Sequence, residues 1–448
     1  MHRSTACFRL AVGLALLAAT GRPAAASAPA SHTHFTEAEL LAVLARAATV
    51  QTSMIGSSEG VNVSDALRMM HHTGVRYAGR TAWVWGGEDR LPGYLPAIKA
   101  NAARAHALMP DIILEGCIFE IVTKAGVEKV PVPPHVFAAF GLPAASRNFD
   151  FDKMLFPNGT LCGGGTTSFC YGMWGPDSTV PDLTQLESRL WFYYVGTSWI
   201  SQGLEGLHVG QIMLMSKLDS KQGMRHTADV FTLLRAFARK HARRGFVLIN
   251  AHLYEDPFVH YNYTRQLLFD FHAFPSRPEP TCNAPKNQLC RMNHSSAGPC
   301  TIEPGENKIY LKSAGGVSVW GWETKSLPYI VEFDNGGCTP HPGAAWQNNS
   351  WGAGVWGWDE ISWFAHQPTA YRNMWLGYAV DWLSKNDPAG HFEMALRRGL
   401  CDSSFGADYG GRKDVKNYDA SGELAQGFGQ EAVIAALWAG RHQSINEP

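Results

Sequence analysis

The chain has 448 residues, of which 45% are hydrophobic, and its formal net charge at pH 7 is −1. That hydrophobic content is ample for a sizeable core, and the length is within reach of one large domain that carries insertions. The near-zero charge provides no basic surface of the kind that nucleic acids or anionic membranes attract.

The N-terminus has the pattern of a secretory signal peptide. Arg3 and Arg9 give a positively charged start, and Leu10–Ala19 is an apolar run too short to span a membrane as a helix. The small residues Ala24–Ala26 follow as a cleavage region. We therefore predict that residues 1–26 are a signal peptide. The remainder, in which no apolar stretch has membrane-spanning length, is expected to be secreted or to lie in the lumen of the secretory pathway.

Cysteine usage agrees with an oxidising compartment. Once Cys7 is removed with the signal, an even number of cysteines remains, which favours disulfides, and none has the C-x-x-C spacing of zinc sites. Local bridges are expected for Cys162–Cys170 and Cys282–Cys290, although other pairings remain open. Sequons predict N-glycans at Asn62, Asn158, Asn262, Asn293 and Asn348.

In chain order, the first elements alternate between helix and strand. Helix-forming residues with apolar spacing predict helices, and β-rich apolar runs predict strands. The patterns indicate a helix at Glu37–Ala48, a strand at Thr81–Trp85, a helix at Tyr94–Leu108 and a buried strand at Asp111–Phe119. This alternation is typical of parallel α/β architecture.

The alternation stops between Val130 and Asp182, where Pro and Gly are frequent. Such a length is unusual for a structureless connection, so we expect a functional insertion stapled by a disulfide. Beyond it, the pattern predicts a helix at Leu183–Ile200, a strand at Gly203–Met215 and a helix at Thr227–Arg244.

Three of the following apolar runs end in polar residues spaced i, i+2, which places both side chains on one face of a strand. A buried strand whose C-terminal end turns polar on one face is what the mouth of a parallel barrel requires. The pairs are Asn250 and His252 after Phe246–Ile249, Asp270 and His272 after Leu267–Phe269, and Glu332 and Asp334 within Tyr329–Asp334.

The rest of the chain predicts a second disulfide-rich loop at Ser276–Glu306, a long helix at Trp358–Ser384 broken near Pro368, and a closing helix at Glu431–Ala439. Candidate strands then lie near positions 83, 114, 209, 248, 269, 310, 331 and 392, and eight is the number that a (β/α)8 barrel needs. We therefore predict an α/β chain. It forms a single (β/α)8 catalytic domain over residues 27–448, with two large cystine-containing loop insertions.

Acidic residues occur at several of the predicted strand ends, where barrel enzymes have their active sites. A carboxylate pair is what glycoside hydrolysis needs, one member to protonate the leaving oxygen and the other to act as nucleophile or to activate water. The acidic candidates are Glu115, Glu120, Glu205, Asp270, Glu332 and Asp334.

The secretion signal, the acids at strand ends and the clustered tryptophans together loosely resemble the (β/α)8 glycoside hydrolases. In many retaining members of that class the nucleophile is a Glu that ends the seventh strand, and the resemblance gives this place to Glu332. The acid/base of those members follows the fourth strand as Asn-Glu, whereas this sequence has Asn250-Ala251-His252. For the proton donor we expect Glu205, then Asp270. A structural role at the opposite end of the barrel is the alternative for Glu205, and a buried ion pair is the alternative for Glu332.

A carbohydrate is the predicted substrate, and this mechanism requires neither a metal nor a cofactor. Flat Trp rings beside Gly form platforms that stack on sugars, and polar side chains at strand ends suit sugar hydroxyls. The predicted substrate-binding residues are Asn250, His252, His272, Gln211, Asp334, Glu120, Trp83, Trp85, Trp320 and Trp322.

Two other classes stay open. His208, His252, Asp270 and His272 lie near successive predicted strands, and such a set can build the metal site of a barrel hydrolase. A non-catalytic carbohydrate-binding barrel would keep the Trp platforms without a working acid pair. The sequence contains no P-loop, no G-x-S-x-G elbow and no dinucleotide fingerprint after a strand.

Overall fold

A computed structural model describes residues 34–162, 169–253, 258–279, 301–302, 315–335, 338, 358–402 and 415–440. Within these ranges eight parallel strands form a closed barrel in chain order, with helices between most of the successive strands. The last strand pairs with the first, so that Ala48 lies opposite Met394 and the barrel has no open edge. The predicted (β/α)8 fold is confirmed.

The barrel strands are numbered β1–β8 in chain order, and all are buried along most of their length. Their bounds are Ala47–Val50, Tyr77–Ala82, Ile113–Cys117, Gly206–Gln211, Leu248–His252, Phe271–Pro275, Tyr329–Glu332 and Gly390–Gly399.

The α-helices of the described residues are numbered α1–α11. None of them is long and apolar enough to cross a membrane. Their bounds are Glu37–Leu44, Val63–Thr73, Leu91–Leu108, Lys124–Val127, Pro134–Ala139, Leu186–Ser201, Ile212–Met215, Arg225–His241, Glu360–Ala365, Thr369–Asn386 and Glu431–Trp438.

Shorter elements decorate the barrel. Short 3-10 segments lie at Gly56–Glu59, Glu88–Arg90, Phe151–Met154 and Asp219–Gln222. Antiparallel pairs join Val122–Thr123 to Ser178–Thr179, Pro278–Glu279 to Thr301–Ile302, Gly316–Val317 to Glu323–Thr324, and Asn417–Asp419 to β8.

The first barrel strand was missed by the sequence analysis. The predicted helix at Glu37–Ala48 begins where expected, with Thr36 accepting a hydrogen bond from Glu39 N–H at 3.2 Å in a capping box. It ends at Leu44, and the next residues form β1 because their short apolar run pairs with β2 and β8. The strand predicted near position 310 lies outside the described residues, while the predicted break near Pro368 is confirmed between α9 and α10.

Helix α1 closes the N-terminal end of the barrel. Leu40 and Leu44 of α1 are fully buried and belong to one apolar cluster with Tyr77, Ile113 and Phe271, which begin or lie near the beginning of their strands. A larger cluster fills the layer between the strands and the outer helices. Because apolar side chains fill the N-terminal end, the polar side chains inside the barrel lie toward the C-terminal end.

Two disulfides fix loops of the described chain. Cys162 and Cys170 are bonded, as predicted, within the first loop insertion. Cys338 is bonded to Cys401, which joins the segment after β7 to the segment after β8. Cys282 and Cys290 lie outside the described residues, so their predicted bridge stays a prediction.

The plug formed by α1 can be tested by truncating one side chain. Leu40→Ala leaves a cavity under the barrel, and we expect it to lower the free energy of unfolding by about 2–5 kcal/mol. Leu41→Ala, on the half-buried face of the same helix, should cost clearly less. Urea unfolding followed by circular dichroism measures both, and equal losses would contradict the plug.

Candidate functional site

The C-terminal half of the barrel encloses a network of buried polar side chains. Asn250 and His252 of β5 and Glu332 of β7 all take part in it, as the sequence predicted for these strand ends. Asp334 follows two residues beyond β7 and is also buried. Carboxyl ends of parallel strands meet at one end of a barrel, which is why residues distant in sequence meet here.

Glu332 is the centre of this network. Its carboxylate accepts hydrogen bonds from both Arg80 and Arg398, at 3.1 Å from Arg80 Nε and 2.5 Å from Arg398 Nη1. His252 Nε2 lies 2.5 Å from its other oxygen. Burial opposes ionisation of Glu332, but the charges of the two guanidinium groups and the bond with His252 outweigh it and hold its pKa well below the usual range. Glu332 is therefore a carboxylate at neutral pH. Arg398 also donates a hydrogen bond to Asp334 at 2.9 Å.

A bulge in β2 aims Arg80 at Glu332. The pairing of β2 with β3 shifts register between Ala78 and Ala82, and Arg80 has a φ of 57°, in the left-handed region. Such a backbone costs a non-glycine residue about 1–3 kcal/mol and persists only where other contacts hold it. Here the Arg80 N–H donates to Glu115 Oε2 at 2.8 Å, which stabilises the bulge.

Glu393 of β8 is a second carboxyl beside Glu332. The two residues are partners in the parallel pairing of β7 with β8. Glu393 reaches across to β2, where a Cβ on Gly79 would lie 2.3 Å from its Oε1, so only glycine leaves room for it. Burial, followed by the charges of Glu332 and Glu115, raises the pKa of Glu393 to about 8. Neighbouring carboxyls thus differ in protonation at neutral pH.

A chain of hydrogen bonds connects this pair to β4. Glu115 accepts from Tyr77 Oη at 2.6 Å and from Asn250 Nδ2 at 2.7 Å. Asn250 Oδ1 lies 2.7 Å from His208 Nδ1, and the His208 ring lies against His252 with centroids 4.5 Å apart. Together with the bonds of Arg80 and Arg398 to Glu332, these contacts link six strands, β2, β3, β4, β5, β7 and β8, through their side chains.

An aromatic wall adjoins the polar network. The Phe119 ring lies 5.6 Å from Trp83 and 5.3 Å from Trp85, and Trp85 lies 5.3 Å from Trp174 of the first loop insertion. Phe119 also faces the Arg80 guanidinium at 6.0 Å. Trp85 is 39% exposed, so the wall presents this ring to solvent, while Phe119 faces the polar network.

Glu120 and Gln211, both predicted to bind substrate, bond to each other beside this wall. Gln211 Nε2 donates to Glu120 Oε1 at 2.9 Å, and the Gln211 N–H donates to Glu120 Oε2 at 3.0 Å. Trp174 Nε1 donates to the Glu120 carbonyl at 3.0 Å. The pair thus ties the end of β4 to the loop after β3.

Glu205 and Asp270 lie at the opposite end of the barrel, so their predicted position at C-terminal strand ends was wrong. Glu205 precedes β4 and is fully buried between Arg243 and Arg244, with its Oε2 at 3.0 and 2.6 Å from their nitrogens. Asp270 precedes β6 and bonds Arg235 at 3.1 Å. The alternative considered for Glu205, a structural ion pair at the far end, matches this geometry. The strand boundaries caused the error, because β6 begins after the apolar run that was taken for it.

Trp320, Trp322 and His272 also lie away from the mouth, contrary to the prediction. Trp320 Nε1 donates to Asp270 at 2.7 Å and Trp322 Nε1 to the Phe35 carbonyl at 2.9 Å, so both rings lie at the N-terminal end. His272 is in β6 but stacks on Phe274, whose side chain packs in the outer apolar layer. Burial lowers the pKa of His272 to about 3.

The side chains of the metal hypothesis are not brought together. Only His208 and His252 are neighbours, whereas Asp270 and His272 lie at the other end and on the outer face of the barrel, respectively. In the described ranges no three His, Cys, Asp or Glu side chains form a set that could hold a metal ion. The four side chains of the metal hypothesis therefore do not form one site.

Sequence analysis missed the residues that define the charge of the site. Arg80, Glu393 and Arg398 are buried ionisable residues inside apolar strands. Because ionisable residues are rarely buried without a function or a partner, their position within apolar runs is the sequence signal that could have identified them. His208 was considered only as a metal ligand. Phe119 and Trp174 carry no pattern that separates them from ordinary core aromatics.

Comparison with known proteins adds little to this geometry. No protein-family model and no curated protein matches the chain. Among solved structures, the GH113 beta-mannanase of Alicyclobacillus acidocaldarius is similar over 89% of this chain and 98% of its own, at 9% identity and a TM-score of 0.40. Amy13B of Eubacterium rectale is similar over 50% of this chain and 49% of its own, at 10% identity and a TM-score of 0.27. Both similarities are low in sequence identity and in TM-score.

The raised pKa of Glu393 predicts a dependence of stability on pH. Folded Glu393 keeps its proton up to about pH 8, whereas the unfolded chain loses it near its ordinary pKa of about 4.3. The associated stabilisation is complete below about pH 4 and is lost as the pH rises to 8, at up to about 1.4 kcal/mol per pH unit. Glu393→Gln cannot titrate, so its free energy of unfolding should fall less steeply than that of the wild type between pH 5 and 8.

Urea unfolding at several pH values gives the two slopes. The pKa of Glu360 is also raised to about 8, but Glu360 is present in both proteins and its contribution cancels. Glu423→Gln, which removes an exposed carboxyl, is the control variant. Indistinguishable slopes for the wild type and Glu393→Gln would contradict a protonated Glu393.

Proposed function

We propose that the chain is a secreted glycoside hydrolase that acts on a poly- or oligosaccharide at the C-terminal end of its barrel. One observation supports this most strongly: Glu332 and Glu393, partners on neighbouring strands, are held in opposite protonation states. Neighbouring carboxyls with separated pKa values are what acid/base cleavage of a glycosidic bond requires.

The charges assign a role to each carboxyl. Glu332 is ionised and therefore acts as the nucleophile or as the base that activates water, in agreement with the role predicted from the sequence. Glu393 carries a proton at neutral pH and is the group able to deliver it to the leaving oxygen. Glu393 thus takes the role for which the sequence analysis had favoured Glu205 and Asp270.

The surroundings of the pair suit a sugar ring. The wall formed by Trp83, Trp85 and Phe119 offers flat apolar faces, and the network supplies donors and acceptors for hydroxyl groups. Asn250, His252, Gln211, Asp334 and Glu120 remain proposed substrate-binding residues. The mouth therefore combines a stacking surface with hydrogen-bonding groups, as carbohydrate sites need.

Secretion remains part of the proposal. The Cys162–Cys170 and Cys338–Cys401 disulfides are compatible with an oxidising compartment. Among the sequon asparagines, Asn62 and Asn158 are exposed and Asn262 is partly buried, while Asn293 and Asn348 lie outside the described residues. The proposed mature protein is a single catalytic domain of residues 27–448.

Substitution of each carboxyl tests the mechanism. Glu332→Gln and Glu393→Gln keep the shape of the side chain but remove the carboxylate or the acid, and each should lower kcat by about 10²–10⁴-fold. Activity is measured as reducing ends released from a panel of soluble polysaccharides by the secreted protein, with folding checked by circular dichroism.

Glu205→Gln is the matched control, since Glu205 is equally buried and lies between two arginines at the other end of the barrel. Removing one partner of a buried ion pair costs about 3–5 kcal/mol, so Glu205→Gln and Glu332→Gln should both lower stability. Only Glu332→Gln should lose turnover as well. Near-normal turnover of Glu332→Gln would show that its ion pairs are structural, and binding without hydrolysis by the wild type would identify a carbohydrate-binding barrel.

The aromatic wall is tested at its exposed ring. Trp85→Ala removes a stacking surface without touching the carboxyls, and we expect the KM for an oligosaccharide to rise about tenfold, equivalent to about 1.4 kcal/mol, with a smaller change in kcat. Trp320→Ala is the control, because Trp320 lies at the N-terminal end. An unchanged KM for Trp85→Ala, or an equal rise for both variants, would remove the wall from the substrate site.

A further inference from the structure

His208 has an unpaired ring nitrogen inside the barrel, beside the proposed catalytic carboxyls. The residue lies in β4 and is 1% exposed. Its Nδ1 is bonded, but within the described part of the chain its Nε2 has no hydrogen-bond partner. A buried polar atom without a partner costs about 1–3 kcal/mol, and a ligand that hydrogen-bonds to Nε2 would remove this cost.

The neighbouring bonds determine which nitrogen of His208 carries the proton. The Asn250 Nδ2 faces three acceptors, Glu115 Oε1 at 2.7 Å, Tyr77 Oη at 3.1 Å and the Leu207 carbonyl at 3.5 Å, so this end of the amide is the donor. Asn250 Oδ1 must then accept from His208 Nδ1. The proton is on Nδ1, and Nε2 has a free lone pair.

His208 is also neutral. Burial, followed by the nearby charges on His252 and Arg80, lowers its pKa well below the usual range. Such a weakly basic imidazole accepts a hydrogen bond without removing the proton. This distinguishes a binding role for Nε2 from a role as general base.

The ring of His208 lies toward the mouth. The backbone of His208 pairs with Cys117 on β3 and with Asn250 on β5. Its ring, however, packs between Phe119 and His252. Each of these two residues lies two positions beyond the backbone partner, toward the C-terminal end of the strands. Phe119 belongs to the aromatic wall, and His252 bonds Glu332. The free nitrogen therefore lies in the layer where the wall meets the catalytic pair.

We propose that His208 is a substrate-binding residue whose Nε2 accepts a hydrogen bond from one hydroxyl of the sugar held at Glu332. The inference rests on the proposed function and extends it to substrate recognition. An acceptor fixed in this way selects a sugar with a donating hydroxyl at one ring position. A deoxy or deoxyfluoro sugar at that position is disfavoured, because fluorine cannot donate.

The test is ¹⁵N NMR of the full chain labelled at histidine. The spectrum of the free protein should show His208 protonated at Nδ1 and unprotonated at Nε2. Titration with gluco-, manno-, galacto- and xylo-tetraoses should move the Nε2 resonance with at least one sugar. The effective sugar should lose this shift when one of its hydroxyls is replaced by fluorine. A protonated Nε2, or an Nε2 resonance that no sugar moves, would overturn the proposal in favour of a water-filled position.

Two phenylalanine variants add a kinetic readout. His208→Phe keeps a ring against Phe119 and His252 but removes the acceptor, and should raise the KM for the effective sugar about tenfold. His272→Phe, a buried histidine on the outer face of the barrel, should leave the KM unchanged. Hydrolysis with an unmoved Nε2 and an unchanged KM defeats this inference alone, whereas a sugar that moves Nε2 without being hydrolysed defeats the proposed function alone.

Discussion

The mouth of the barrel depends on one buried negative charge. Removing a carboxylate from water is costly unless charged partners surround it, and Glu332 has Arg80 on one side and Arg398 on the other. Arg80 reaches it only because β2 bulges, and the bulge is held by Glu115. The position of one carboxylate therefore dictates the backbone of a strand that lies across the barrel from β7.

The N-terminal end of the barrel also contains a buried carboxylate between two arginines, but this end is closed. Glu205 also lies between two arginines and is as buried as Glu332, but α1 and its apolar contacts close that end. In the described part of the chain the tryptophans at this end form no wall for a sugar ring, since Trp320 and Trp322 bond inward to Asp270 and Phe35. Residue type alone does not distinguish Glu332, the proposed catalytic carboxyl, from Glu205. The end of the strand at which each lies does.

Much of the fold was predictable, because barrel strands are apolar runs that alternate with helices. The long helices α3, α6, α8 and α10 were found near their observed bounds, and Glu332 was placed correctly at the end of the seventh strand. The strand count succeeded even though β1 was missed, since a further strand was expected near position 310. Four residues, Ala47–Val50, directly after a helix are too short a pattern to recognise.

The site was less predictable, because it depends on strand boundaries and on side chains from distant strands. A difference of a few residues at the start of β6 moved Asp270 from one end of the barrel to the other. Glu393 was overlooked because its raised pKa depends partly on the charges of Glu332 and Glu115, which lie on other strands. The sequence also gives no sign of the role of Gly79, whose lack of a side chain makes room for the Glu393 carboxyl.

The coupling between Glu332 and Glu393 has a consequence for a reaction at this mouth. Part of the rise in the pKa of Glu393 comes from the negative charge of Glu332. Any step that neutralises Glu332, by a covalent bond to a sugar or by a proton, removes that contribution and lowers the pKa of Glu393. In the proposed mechanism Glu393 would then be ionised at neutral pH, as the base of a second step must be. The same pairing of β7 with β8 that places the two carboxyls together thus makes the protonation of one depend on the charge of the other.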